Sequence, residues 1–270
     1  MSYELVRLRN GAFSLRSLEY GETMHPAVGP VAEAEALYVR QQQIPQRAEK
    51  HPGQFVVWDV GFGAAANAIA VINAIANREL LLISFDCTTA PLRFALEHAE
   101  ELEYVAPFRT QLESLLTQGE ARFDHVAWKL HLGNFPELLN NALPAPNAIL
   151  FDPFSPAKNP EMWTAGLFER VFQLLAGPCS LANFSRSTMF RVSLLLAGFY
   201  VGRGEPIARK EETTIAANVP GLIEKRLDLR WLERAQRSDS AEPLWTPTYR
   251  KAPLAPSTLE RLRGHPQFSR

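Results

Sequence analysis

The chain has 270 residues, 46% of them hydrophobic and 21% charged, with a formal net charge of -1. This is the composition of a folded globular chain, and it excludes a global basic field that would draw nucleic acid or an anionic membrane. Its two cysteines, Cys87 and Cys179, lie far apart without disulfide-framework or zinc-ligand spacing, and both are expected on buried strand ends as small hydrophobes.

The N-terminal "MSYELVRLRN" lacks the apolar core of a signal peptide, and no apolar run reaches membrane-spanning length. A cytoplasmic protein without membrane contact is expected. "YELVRLRNGAFSLRSLEY" alternates apolar and polar residues around Asn10-Gly11, which predicts a β-hairpin. "GPVAEAEALYVRQQQI" has helical spacing and opens at Gly29-Pro30. From residue 54 strands and helices alternate. "QFVVWDVGF", "ELLLISFD", "HVAWKLHLG", "NAILFDPF" and "CSLANFS" read as strands. "AAANAIAVINAIA", "PLRFALEHAEEL", "PEMWTAGLFERVFQLLAG" and "STMFRVSLLLAGF" read as helices between or after them. "YVGRGEPI" with "ETTIAAN" reads as a closing hairpin. This order predicts an α/β fold whose sheet is mostly parallel, seven-stranded and carries one antiparallel strand. Three regions are expected: an N-terminal hairpin and helix extension at 1–50, the α/β domain at 51–222, and a C-terminal segment at 223–270. From Glu224 onward ten Lys and Arg stand against six Asp and Glu, so that segment is basic. A charge cluster of this size is read first as a solvated face, and the Pro-rich stretch after Pro243 as irregular or a tail.

In an open α/β sheet, ligands bind at the carboxyl ends of the strands. The first strand of the alternating part ends "DVGFGAAANA", placing Asp59, Gly61 and Gly63 before a helix. Glycines there serve either a tight turn or the close approach of a ligand to backbone donors. The next strand ends at Asp86, where an acid accepts hydrogen bonds from a ribose in both dinucleotide-type and S-adenosylmethionine-type sheets. Asn134, after the third strand, falls where methyltransferases carry a polar residue near the adenine.

"FDPFSPAKNPEMW" puts Asp152 at the end of the fourth strand, ahead of three prolines that stiffen the loop beyond it. Its "DPF" is similar to the [DN]-P-P-[YF] signature of methyltransferases acting on amino nitrogens. A fixed carboxylate accepts the amine's hydrogens, aims its lone pair, and offsets the charge that grows on nitrogen. The alternative is an Asx turn, in which the same carboxylate satisfies local backbone donors.

Together, "GETMHP", "GPVAEAEALYV", "DVGFG", "ISFD", "LFDPFSPAKNPEMWT" and "SRSTMFRVSLLLAGF…KEETTIAAN" resemble the methyltransferases of tRNA wobble-uridine modification, the MnmC/MnmD type. The resemblance spans about residues 20 to 220. It implies a Rossmann-like methyltransferase fold, S-adenosyl-L-methionine as donor, and methylation of the aminomethyl group of 5-aminomethyl(-2-thio)uridine in tRNA. It further implies a functional link to the enzymes that install that group. By matching motif, Asp59, Gly61, Gly63, Asn67, Asp86 and Asn134 are expected at the donor and Asp152 at the acceptor amine. Glu33, Pro153, Phe154, Lys158 and Arg186 are expected at the tRNA. Three departures stand out. Ala65 replaces a glycine of the usual loop, Asn134 stands where the bifunctional enzyme has Asp, and Asp86 replaces Glu. With no second Gly-rich fingerprint, a stand-alone methyltransferase without flavin or metal is expected.

His25 is read either as lining the acceptor site or as a loop histidine serving local backbone, and His131 as facing the layer that covers the sheet. Arg191 is a candidate phosphate contact, and Trp163 either a base-stacking or a core residue. Two other functions stay open: an N-methyltransferase acting on another amine, and a degenerate member of the fold serving as a binding module. The intact Asp86 and Asp152 argue against the last.

Overall fold

The computed structural model describes residues 2–26, 28–206 and 212–269. Strands β1 (Tyr3–Arg7), β2 (Phe13–Ser17) and β3 (Glu22–Thr23) form a small antiparallel meander. Its first turn closes from Gly11 N to Leu8 O, with Gly11 at φ +90°, where a side chain would be strained.

The large sheet holds β4 (Phe55–Val60), β5 (Leu80–Asp86), β6 (Glu120–Phe123), β7 (Val126–Leu132), β8 (Ala148–Phe151), β9 (Ser180–Asn183), β10 (Tyr200–Gly204) and β11 (Thr213–Ala217). The spatial order is β10-β11-β9-β8-β4-β5-β7-β6. Strands β4, β5, β7, β8 and β9 run parallel. β11 lies antiparallel between β9 and β10, the antiparallel strand expected from the closing hairpin. Within the loop of that hairpin, residues 207–211 lie outside the described residues. β6 pairs antiparallel with β7 and adds an eighth strand at the edge. Four residues reading "EARF" are too few to show strand periodicity.

Parallel strands are buried on both faces, so they read as continuous apolar runs. Helices Ala66–Ala74, Ala90–Glu97 and Arg109–Gln118 cover one face around Ile69, Leu92 and Leu112. Helices Ala165–Gln173 and Thr188–Ala197 cover the other around Phe168 and Phe190. The helix expected to run through Ile44 is divided. It starts at Pro30, widens into a π turn at Glu35–Arg40, stops at Gln43 (φ +51°) and resumes as Ile44–Lys50. The break coincides with buried Gln42, whose amide donates to Ile149 O and accepts from the Ser180 hydroxyl, tying this segment to β8 and β9.

The C-terminal stretch is not a tail. Leu244 O accepts from Ala165 N at 2.8 Å, and Leu244, Leu262 and Phe268 are buried in the same apolar layer as Phe168. Buried Glu242 accepts from Trp245 Nε1, Ala255 N and the Thr258 hydroxyl. Gln267 bonds both main-chain groups of Val201 and Leu227 O. These anchors are spaced too widely to show a period, and the prolines between them read as irregular chain. Cys87 is a second correction: it follows the last residue of β5 and is exposed, whereas Cys179 is buried. No helix among the described residues is long and apolar enough to cross a membrane.

Candidate active site

β4 sits where the order of the parallel strands reverses, with β5 and β7 on one side and β8 and β9 on the other. A crevice at the carboxyl ends is the geometric consequence. It is a cavity of about 800 Å³, lined by Gly61, Gly63, Asp86, Asn134 and Asp152 from the large sheet's loops. Tyr20, Glu22 and His25 of the N-terminal extension line it as well, as does Glu33.

At one end Asp86 Oδ2 accepts from Gly63 N at 2.9 Å and Oδ1 from Thr88 N at 3.1 Å. Burial raises the Asp86 pKa, and those two amides partly offset it. Gly63 needs its positive φ of +52° to aim that N–H. Ala65, in the usual place of a glycine, is also left-handed at φ +67°, a conformation that costs an alanine on the order of 1–2 kcal/mol. Asn134 is exposed and bonds Glu137. Beneath this end Asp59 is fully buried. Burial first, then the charges of Asp152 and Asp86, push its pKa up to about 7 against a hydrogen bond from Ser84. Its other oxygen has no hydrogen-bond partner.

Asp152 lines the same cavity. A Cβ on Gly61 would lie 2.6 Å from Asp152 O, so only glycine lets the loops after β4 and β8 abut. Asp152 Oδ2 accepts from Asn67 Nδ2 at 2.8 Å and lies 3.4 Å from His25 Nε2, which is 3.1 Å from Asn67 Oδ1. Burial lowers the His25 pKa, but the hydrogen bond and charge of Asp152, followed by the charge of Glu33, outweigh it and the pKa is raised. Tyr38 is buried in the same corner; burial and the Asp152 charge raise its pKa well above the usual range. Phe154 stacks on Tyr20 with ring centroids 4.2 Å apart, and Ser155 donates both its hydroxyl and its N–H to Glu22. The "GETMHP" stretch therefore builds one wall of the cavity, a role its residue types alone do not disclose.

Several expected site residues lie elsewhere. Asn67 is 2% exposed and braces Asp152 instead of lining the cavity. Asp59 is likewise behind the wall. Lys158 and Arg186 are exposed on the loops after β8 and β9, outside the cavity. Pro153 and Phe154 line it, and Glu33 accepts from Val28 N. Arg191 is no phosphate contact: it is 1% exposed and bound to Thr214, Glu212 and Thr213 O. Trp163 is fully buried, its Nε1 donating to Phe154 O. Among the described residues no cluster of His, Cys, Asp and Glu could hold a metal ion.

Residues 99–219 match the family described as S-adenosyl-L-methionine-dependent methyltransferase, a span that includes Asn134 and Asp152 but not the Gly61 loop. The tRNA 5-methylaminomethyl-2-thiouridine biosynthesis bifunctional protein MnmC of Ectopseudomonas mendocina is 30% identical over 217 residues, 73% of this chain and 32% of that protein. Its namesake in Ralstonia nicotianae is 27% identical over 241 residues, 85% of this chain and 35% of that protein. The chain thus spans about a third of the length of these curated relatives. The crystal structure of MnmC2 from Aquifex aeolicus shares the fold, with a TM-score of 0.72 and 23% identity over 97% of this chain and 83% of that one.

Proposed function

Because the chain carries an S-adenosyl-L-methionine-dependent methyltransferase domain homologous to that of the MnmC proteins, we propose that it methylates the aminomethyl group of 5-aminomethyl(-2-thio)uridine at the tRNA wobble position. The observation that carries this reading is Asp152. It is a carboxylate held at a strand end, lining the same cavity as Asp86, Gly63 and Asn134. When bound, S-adenosyl-L-methionine supplies an electrophilic methyl group. The cavity volume suits a ligand of that size. Asp86, Gly63 and Asn134 are the groups for its nucleoside, and Asp59 ties β4 to β5 through Ser84. Asp152 accepts hydrogens of the acceptor amine, aims its lone pair, and stabilises the positive charge that develops on nitrogen. Glu33, Pro153 and Phe154 surround the uridine, and the exposed Lys158 and Arg186 meet phosphates, which any tRNA ligand requires. In this reading residues 1–50 wall the acceptor pocket, 51–222 form the transferase domain, and 223–270 close its apolar layer. The chemistry needs neither flavin nor metal. Its substrate is the product of a reaction class that installs an aminomethyl group on uridine.

The test is direct. Purified protein is incubated with labelled donor and tRNA bearing either 5-aminomethyluridine or its carboxymethylaminomethyl form, and nucleosides are resolved by mass. Methylation of the first alone is expected, because removing a carboxymethyl group requires an oxidant. Labelling of neither tRNA would favour another amine or the degenerate binding module.

Asp86→Ala is expected to weaken donor binding by about 10- to 100-fold in calorimetry, since a hydrogen bond to a charged acceptor contributes about 1.5–3 kcal/mol. Unchanged affinity would place the donor's ribose elsewhere.

A further inference from the structure

Asn67 has two ends and they face different partners. Its Nδ2 donates to Asp152 Oδ2, so its Oδ1 is the atom turned toward His25. His25 Nε2 then faces two acceptors, Asn67 Oδ1 at 3.1 Å and Asp152 Oδ2 at 3.4 Å. Nε2 must therefore carry a hydrogen whether or not the ring is charged, and the proton that titrates is the one on Nδ1.

We propose that Asn67 and His25 are positioning residues that occupy Asp152 Oδ2, orient the carboxylate for the acceptor amine, and switch the site with the charge on His25. This rests on the reading that Asp152 meets an amine, but not on which amine. With His25 neutral, the Asp152–His25 unit carries one negative charge and stabilises a cationic nitrogen. A proton on Nδ1 makes the unit a neutral ion pair, and the attraction is lost. The surroundings favour that proton. Besides Asp152, Glu33 from the Pro30–Ala34 helix acts on His25, and Asp59 at the end of β4 interacts with it; buried Tyr38 faces Asp152 from the same corner. His25 holds φ +47°, a left-handed conformation unusual for a residue with a Cβ, so the main chain is bent to deliver this ring.

The pH dependence of kcat/KM reports ionisations of free enzyme and free substrate. Two groups must lose a proton here, His25 and the acceptor ammonium. On the acid side log(kcat/KM) is expected to rise with a slope of two below the His25 midpoint and of one above it. His25→Gln, which keeps a donor but cannot titrate, should show a slope of one throughout. At one pH unit below the wild-type midpoint, the relative loss should be about tenfold smaller in the variant. Asn67→Ala should lower kcat while leaving donor affinity within about a factor of two.

A second readout needs no acceptor. The His25 ring is followed by NMR, assigned by its absence in His25→Gln, and its titration in Asp152→Asn should move to lower pH. If it moves and no tRNA is methylated, the acceptor assignment fails while the arrangement stands. An unmoved titration, an unchanged slope of two in His25→Gln, or a loss of donor affinity in Asn67→Ala would overturn the inference.

Discussion

Asp152→Ala is expected to lower kcat for methyl transfer by about a hundredfold or more, with S-adenosyl-L-methionine affinity within a few-fold of wild type. Preorganised groups that stabilise developing charge contribute about 2.7–4 kcal/mol each in comparable sites. The donor groups should survive the change. Asp86 and Gly63 bond each other without involving residue 152, and Gly61 abuts the main chain of residue 152, not its side chain. The variant does leave Asn67 Nδ2 without its acceptor. A melting curve therefore accompanies the kinetics, and Asp152→Asn, which keeps the shape, should lose turnover with less loss of stability. Near-normal turnover in both variants would remove Asp152 from the chemistry.

Ending the chain after Pro243 is expected to abolish the cooperative thermal transition or lower its midpoint by well over ten degrees. The deletion strips Leu244, Leu262 and Phe268 from the layer around Phe168, each worth about 1.5–3 kcal/mol by burial. It also takes the three hydrogen bonds of Gln267 and leaves buried Glu242 without the groups it accepts from. Against a whole-domain stability of about 5–15 kcal/mol, such a loss is not absorbed. Circular dichroism melts of the two chains decide it. A truncated chain melting within a few degrees of the full one would mean that this packing is surplus.

That second expectation reverses what residues 243–270 suggest as a string of letters. Asp152 was legible because its signal is local: an apolar run, an acid, then proline. The parallel core was legible for the same reason, since β4, β5 and β8 are largely apolar stretches buried on both faces, while β7 alternates in burial. Asn67 was not. Its motif places it in the donor loop, and only the folding of the Ala66–Ala74 helix beneath the loop after β8 turns its amide toward Asp152. Arg191 failed in the opposite direction. An arginine after a strand end reads as a phosphate contact, yet Glu212 and the β11 backbone, distant in sequence, enclose it. His25 admitted two readings, and the structure sets it in the cavity wall, bonded to Asn67 and Asp152. What sequence reasoning missed are contacts between segments, which no residue's type or local spacing encodes.

The contact between Gly61 and the Asp152 carbonyl has a thermodynamic side. With no space for even a methyl group between them, neither the loop after β4 nor the loop after β8 can move toward the other. A ligand that settles one of them therefore works against, or with, the position of the other. Coupling of that kind is reciprocal by linkage: whatever factor the first ligand imposes on the affinity of the second, the second imposes on the first. The missing side chain at residue 61 is what brings the two loops into the contact through which any such coupling would run.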